Sequence, residues 1–414
     1  MRIGYLMQKG EEIRNPPYNG PASHVRHVTQ GLERLGHKVR ILFRLPGARL
    51  PGGGLWITDD LQEFRPVHVR RSDQGVLRAF ERLIRRVQHD LRLPYLDLFE
   101  SLRFALACRQ ELEDCDVLLE RTSWMTYGGV LAARWQKIPL VLEYNGDPVA
   151  DLAAKGELPK GAQYRLSTAI MGRVMRAADR VVATGDGWRQ SCMDQWKVAE
   201  DKVTVIENGT SLLEHLQRQQ LRSFADPGTH APGLTLVYLG GFYPWHGITV
   251  LICALAKIAR QVEDLRLVLI GSGAGEAEVR ELVRTLGLSA RVDFLGQRTA
   301  QEYAPVLAAA DIALSPYCGW PEYSGLKLFD YKAAGLAVIA SGEGGKPATL
   351  RHEVTGWIVP PCDEDALAEA ILRLCADPEL RVSMGRQARI EAETAHSWEH
   401  TARRLEQVLV EVRA

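Results

Sequence analysis

The chain has 414 residues, 46% hydrophobic and 25% charged, and its 51 basic and 51 acidic side chains give a formal net charge of zero. At about 150 residues per domain that length points to two or three domains, each able to bury a sizeable core. Balanced charge argues against a nucleic-acid partner, because binding by counterion release needs a basic surplus.

The opening MRIGYLMQKGEE carries only a short apolar run between Arg2 and Gln8. That is too short for a signal-peptide core, and no later stretch nears the roughly 20 residues that cross a bilayer. Residues 3–7 read as a buried strand and 38–43 as a second. Between them Val25, Val28, Leu32 and Leu35 fall at helical spacing and stop at Gly36, a good residue for ending a helix. Further strands are expected at 116–119, 139–143, 180–183 and 203–206, with helices between most of them, giving a parallel sheet of about six strands. The segment 211–233 is polar, contains Asp-Pro-Gly and Ala-Pro-Gly, and reads as a linker region. Alternation then restarts, with strands at 235–239, 266–270, 291–295, 312–314, 337–340 and 357–359. Helices are expected at 247–260, 275–286, 300–309, 326–334 and 364–375, and a last one at 397–413. The expected fold is α/β, two Rossmann-like domains facing a cleft, where open sheets bind ligands at the carboxyl ends of their strands. The boundaries are 1–212 with the returning C-terminal helix 397–414, and 213–396.

One segment departs from this plan. Residues 70–92 carry seven arginines against Asp73, Glu81 and Asp90, with Leu77, Phe80, Ile84, Val87 and Leu91 at helical steps. Such a helix fits an ordinary solvated surface, and it also fits peripheral contact with an anionic membrane or a lipid-linked acceptor. The seven cysteines form no C-x-x-C pair and no metal-ligand spacing with histidine, and read as reduced thiols in a cytoplasmic protein without a metal.

The strongest chemical signal is EYSGLKLFDYKAAG at 322–335. Tight backbone at Ser324-Gly325 leaves the amides up to Leu326 free at a helix N-terminus, where they can hold a phosphate. Lys327, in the first turn, adds a cation against a diphosphate. Asp330, a turn further, can accept from the paired hydroxyls of a ribose, and Glu322 points to whatever lies beyond the phosphates. The pattern reads as a grip on a nucleotide sugar; a capping acid beside an ordinary surface carboxylate is the plainer alternative.

From 235 to 413 the sequence resembles the carboxyl lobe of the family-4 retaining glycosyltransferases, enzymes of the GT-B architecture. The resemblance rests on Glu322 and Asp330 with seven residues between them, then Gly335, AVIAS, Gly344-Gly345, TGWIVPP and DEDALAEAILRLCADPELRVSMG. The amino lobe agrees through MRIGYLM, Gly20 before PASHV, LGHKVRI and Asn208-Gly209, whereas about 47–110 matches nothing. Two departures stand out. Asp330 replaces the usual Glu, and Phe242 and His246 occupy the places of the usual Arg and Lys in a loop that reads GGFYPWHG.

The resemblance implies that Gly20, Gly241, His246, Gly273, Ser324, Gly325, Leu326 and Asp330 bind the donor. It places Glu322, Lys327, Asn145 and Glu143 in catalysis, the last two where many relatives have a histidine. Diphosphate neutralisation falls to Lys327, with His246 adding charge when protonated. Glu120-Arg121 reads as an internal ion pair or an acceptor contact. A decoy, Gly271-x-Gly273-x-Gly275, fails the dinucleotide spacing because Glu276 holds the third-glycine place. The implied reaction moves a sugar from a nucleoside-diphosphate donor to a saccharide acceptor, lipid-linked or small, with retention, and needs no metal or other cofactor. A non-catalytic nucleotide-sugar-binding subunit, or an epimerase or phosphorylase of the same architecture, stays open.

Overall fold

The computed structural model describes residues 1–16, 18–45, 54–69, 75–90, 96–154, 156–216, 233–319, 325–343 and 347–413. Of the sequence-predicted features, Glu322, Ser324, Gly344-Gly345 and most of the proposed linker lie outside the described residues. The chain divides into two compact units, Met1–Glu207 with Thr401–Ala414, and Asn208–His400.

The first unit begins with β1 (Arg2–Met7), α1 (Gly20–Arg34), β2 (Lys38–Arg44), β3 (Leu55–Thr58) and β4 (Arg65–Pro66). It continues with α2 (Gly75–Asp90), α3 (Leu98–Glu111), β5 (Val117–Arg121), α4 (Gly128–Gln136) and β6 (Leu140–Tyr144). Then come α5 (Pro148–Ala154), α6 (Gly161–Ala177), β7 (Arg180–Ala183), α7 (Asp186–Trp196) and β8 (Val203–Val205). Its sheet runs β4-β3-β2-β1-β5-β6-β7-β8. Two strands exceed the sequence expectation, because β3 and β4 add antiparallel to the β2 edge. They lie in the stretch that matched no family pattern. The β1 side chains Ile3, Tyr5, Leu6 and Met7 are all buried, as a strand covered on both faces by helices requires. Asn19 caps α1 by accepting from the Ala22 amide at 2.9 Å, and Gly36, with φ +87°, ends it.

The second unit begins with α8 (Leu212–His215), so the start of the expected linker is ordered and Leu212 is buried in the core. It proceeds through β9 (Leu234–Leu239), α9 (Ile248–Ile258), β10 (Leu265–Ile270), α10 (Glu276–Thr285) and β11 (Val292–Gly296). It completes with α11 (Ala300–Ala309), β12 (Ile312–Ser315), α12 (Leu326–Ala333), β13 (Ala337–Ser341), β14 (Trp357–Val359), α13 (Glu364–Ala376) and α14 (Pro378–Ala395). All six strands are parallel, in the order β11-β10-β9-β12-β13-β14. Helix α15 (Trp398–Arg413) carries the chain back to the first unit. There Glu406 meets His37 at 2.7 Å, Arg404 donates to the Val205 carbonyl at 2.7 Å and Arg413 pairs with Asp116 at 3.5 Å. No helix among the described residues is long and apolar enough to cross a membrane.

The cysteines need a correction. Cys318, three residues after β12, and Cys362, three residues after β14, form a disulfide. They are 44 positions apart in sequence, so no local spacing announces them. Their strands flank β13, and the bridge therefore ties two strand exits at the carboxyl edge of the sheet. Cys108, Cys115, Cys192, Cys253 and Cys375 remain thiols. Cross-linking a loop of this length removes denatured-state entropy worth roughly 2–4 kcal/mol. Reduction should lower the unfolding free energy of the second unit by that amount, read as a lower denaturant midpoint at unchanged slope, and Cys318→Ser should show the lowered midpoint with or without reductant. Equal midpoints for the oxidised and reduced protein would show that the bridge contributes nothing to stability.

Candidate functional site

In the second unit the exits of β9, β10 and β12 converge on the first turn of α12. The loop 240–242 is laced to the loop after β10 through Gly240 N–H to Ile270 O at 2.9 Å, Phe242 N–H to Ser272 O at 3.0 Å and Gly275 N–H to Phe242 O at 2.9 Å. Two glycines make this approach possible. Gly240 has φ +149°, and a Cβ there would lie 2.9 Å from the Lys327 Nζ. Gly273 is pressed against the Phe242 backbone, where a Cβ would come within 2.7 Å.

Lys327 is buried beside this loop, its Nζ 4.4 Å from the centre of the Tyr238 ring and 5.0 Å from that of Tyr317. Among the described residues no carboxylate forms an ion pair with it. Loss of water pushes its pKa down to about 7, since burial penalises the charged form. Cation–π attraction from two rings offsets part of that penalty. The amine thus sits in the first turn of α12, between two aromatic faces, with no acid beside it among the described residues.

His246 stands on the other side of Tyr317. Its Nδ1 lies 2.6 Å from the Gly241 carbonyl, which only accepts, so Nδ1 carries the proton and Nε2 accepts from the Tyr317 hydroxyl at 3.2 Å. Burial, with the Lys327 charge behind it, pushes the His246 pKa down to about 3. The ring is therefore neutral at neutral pH, and the added positive charge expected from the sequence is absent. Gly241 acts through its carbonyl, which also receives the Tyr238 hydroxyl at 2.8 Å.

Asp330 is partly buried. Thr210 donates to its Oδ1 at 2.6 Å and Tyr303 to its Oδ2 at 2.8 Å. Burial raises its pKa to about 6 against the pull of those two hydroxyls. Sequence reasoning missed Thr210 and Tyr303, which lie 120 and 27 positions away; only the tertiary packing of α8, α11 and α12 joins them. Gly325 precedes α12 and Leu326 opens it, so the free amides of the first turn stand where the sequence placed them.

In the first unit the polar groups gather at the carboxyl ends of β1, β5, β6 and β7. Glu143 is buried, 3.1 Å from His24 Nε2 on α1, and receives the Tyr5 hydroxyl from β1. Burial pushes the Glu143 carboxyl up, but His24, Tyr5 and the Arg121 charge hold it below the ordinary value. It is thus already engaged within the protein. Asn145, just past the end of β6, has both amide atoms shielded and without a partner, as has the Thr184 hydroxyl. Of the two readings of Glu120-Arg121, the internal ion pair does not form. Neither Glu120 oxygen makes a well-formed hydrogen bond, and burial pushes its pKa to about 8, with the nearby Gly129 amide pulling the other way. Gly20 is the first residue of α1, exposed, beside the Asn19 cap. No group of His, Cys, Asp and Glu side chains able to hold a metal occurs among the described residues.

The model of the family described as glycosyl transferases group 1 matches residues 222–391, and that of the glycosyl transferase 4-like domain matches residues 19–209. The chain is 29% identical to a D-inositol 3-phosphate glycosyltransferase of Saccharomonospora viridis, over 56% of this chain and 56% of that protein. It is 30% identical to the protein of that name from Mycobacterium tuberculosis, over 58% of this chain and 50% of the other. The chain spans about half the length of the curated relatives it matches. Its fold matches a glycosyltransferase from Rickettsia africae at a TM-score of 0.71, with 17% identity and 99% and 98% of the two chains covered. It matches the Anabaena protein HepE in complex with UDP at 0.69, with 18% identity and 99% and 100% covered.

Anion binding at Lys327 should be linked to proton uptake. A nucleotide sugar, whose diphosphate keeps its charge near neutrality, favours the ammonium form. Its affinity should hold steady below about pH 7 and fall by up to about tenfold per pH unit above it. Calorimetry in two buffers of different ionisation enthalpy reads the proton uptake directly. Lys327→Met should abolish both effects and weaken binding by about 1–3 kcal/mol. Removing His246, by contrast, should cost the same from about pH 5 to about pH 8, because a neutral imidazole has no charge to lose there.

Proposed function

The chain belongs to the group 1 glycosyltransferases with a 4-like amino-terminal domain, and we propose that it moves a sugar from a nucleoside-diphosphate donor to an acceptor hydroxyl with retention of configuration. The observation that carries this reading is Lys327, a buried amine at the mouth of α12 with no acid beside it among the described residues. A diphosphate supplies the missing negative charge. It can also accept from the amides of the helix's first turn. Relatives named as D-inositol 3-phosphate glycosyltransferases, and a fold neighbour bound to UDP-glucose, agree with such a donor.

In the reaction the acceptor oxygen bonds to the anomeric carbon as the bond from that carbon to the diphosphate oxygen breaks. Attack comes from the face the diphosphate leaves, and the acceptor's proton passes to the departing phosphate oxygen. Lys327 and the first-turn amides hold the charge that develops on that oxygen. His246 contributes a fixed dipole and orients Tyr317 against the lysine. Asp330 is assigned to the ribose hydroxyls, with Thr210 and Tyr303 fixing its carboxylate, and Glu322 to the donor sugar. Asn145, with an unengaged amide, is assigned to the acceptor, and Glu143 becomes the group that positions His24 and Tyr5 beneath it.

A panel of UDP-, GDP- and ADP-sugars read by thermal shift identifies the donor, since a ligand of the native state raises its melting temperature. The anomeric configuration of the product, followed by NMR, then tests retention; an inverted product would overturn that part of the proposal. The two acids separate binding from turnover. Asp330→Asn should raise the donor KM roughly tenfold or more with modest change in kcat, since its contact is equal before and during transfer. Glu322→Gln should lower kcat roughly a hundredfold while nucleoside-diphosphate affinity stays close to wild type. Folded variants of both acids that transfer sugar like wild type would remove this pair from the site.

A further inference from the structure

The bridge between Cys318 and Cys362 joins the surroundings of Lys327 to the protein surface. Cys318 directly follows Tyr317, whose ring centre lies 5.0 Å from the Lys327 Nζ and whose hydroxyl meets His246 Nε2 at 3.2 Å. The Cys318 amide donates to the Trp245 carbonyl at 3.0 Å, and Gly247 is pressed so close to Pro316 that a Cβ there would run into its carbonyl oxygen. Residues 316–318 thus rest on the loop that carries His246. At the other end Cys362 is exposed, immediately before Asp363, which caps α13 by accepting from the Ala366 amide at 2.9 Å.

This bridge differs from a structural staple in three ways. The second unit already buries an apolar core that runs from Leu236 to Met384, so it is no small scaffold in need of a cross-link. The other five cysteines stay thiols, Cys108, Cys115 and Cys192 buried, Cys253 and Cys375 half-buried. A chain that keeps five thiols suits surroundings in which thiols persist, where a disulfide is made and broken in use. Cys362, finally, is open to an attacking thiol and holds its backbone at φ +60°. That left-handed region is unfavourable for any residue with a Cβ, so opening the bridge lets the turn relax.

We propose that Cys318 and Cys362 form a reversible thiol–disulfide switch that sets the affinity of the second unit for its nucleotide donor through Tyr317. The regulation rests on the donor reading of Lys327 given above. A dithiol supplies the electrons. One of its thiolates attacks the sulfur of the exposed Cys362, forming a mixed disulfide and releasing Cys318 as a thiolate that takes up a proton. The second thiolate of the reductant then displaces Cys362, which is protonated in turn, and the reductant departs as its own disulfide. Two electrons and two protons reach the protein. Without the bridge, residues 316–318 are no longer tied to the start of α13, and the Tyr317 ring loses its fixed place against the amine. The oxidised form is the tight-binding state, because a ring already held in place need not be ordered when the ligand arrives.

The test is calorimetry of UDP, GDP and ADP with the full chain, oxidised and after treatment with dithiothreitol. Alkylation and mass spectrometry fix the bridge state of each sample, at a temperature where a melting scan shows both forms folded. The reduced form should bind the nucleoside diphosphate about five- to tenfold more weakly, and reoxidation should restore the affinity. Cys318→Ser and Cys362→Ser should each bind like the reduced form, with or without reductant. Tyr317→Ala should bind weakly in both redox states, with the difference between them gone. Equal affinities for oxidised and reduced wild type would overturn the switch and leave the donor reading standing. So would a bridge that dithiothreitol opens only in the unfolded chain, or a redox difference that Tyr317→Ala retains. Absence of binding by all three diphosphates in both forms would remove the donor reading, and the switch would fall with it.

Discussion

A lysine held out of water, with no counter-charge among the described residues, is the constraint around which the second unit is arranged. Lys327 pays twice for its place: burial penalises the ammonium, and the first turn of a helix repels a cation through its dipole. The Tyr238 and Tyr317 rings soften the penalty without cancelling it, and the amine answers with a pKa of about 7. Everything near it serves that geometry. Gly240 lets the backbone come up to the amine, and Tyr331 ties α12 to the sheet by accepting from the Leu239 amide and donating to the Leu314 carbonyl. His246 is kept neutral so that it orients Tyr317 and adds no repulsion. The disulfide fixes the exit of β12 from the far side, one residue beyond Tyr317.

The two units solve the same topological problem with opposite electrostatics. In each, parallel strands end in loops that turn polar groups toward one edge. The second unit leaves a cation there, Lys327, with no acid beside it among the described residues. The first settles its strongest charges internally, Glu143 on His24 and Arg85 on Glu81 and Glu100, and leaves neutral groups such as Asn145 and Thr184 unengaged. A neutral polar edge suits hydroxyls of a sugar or polyol, whereas an isolated amine suits phosphate. The contrast between the two edges thus follows from which charges each unit neutralises for itself.

The strands of the second unit, and the helices the sequence placed there, were readable to within a residue or two because a buried parallel sheet writes itself as apolar runs, and α11 and α13 carry caps in their own sequence; α8 and α14 were not placed. Lys327 was readable too, since its position in the first turn follows from the helix start alone. What could not be read depends on distant partners. Nothing near Asp330 announces Thr210 or Tyr303, nothing near Cys318 announces Cys362, and the neutrality of His246 comes from burial that only the folded unit supplies. Strands β3 and β4 escaped notice for a different reason: β3 has only four residues, β4 only two, and the exposed β4 is the edge of the sheet, so neither shows the long buried run that marks the other strands.

Helix α2 shows where periodicity itself stops. A stripe of apolar residues at three- and four-residue steps says that one face of a helix will meet something apolar, and the same pattern serves a protein core or a lipid. The decision lies in the opposite face. Glu81 and Arg85 find partly buried partners in Arg103 and Glu100, and breaking the network leaves the buried Glu81 carboxylate unpaired. That ionic seam fixes the rotation of the helix, and with it the outward aim of Phe80, Leu83 and Val87. The orientation of an amphipathic surface helix is thus set by the partners available to its charges, which the sequence of the helix alone does not contain.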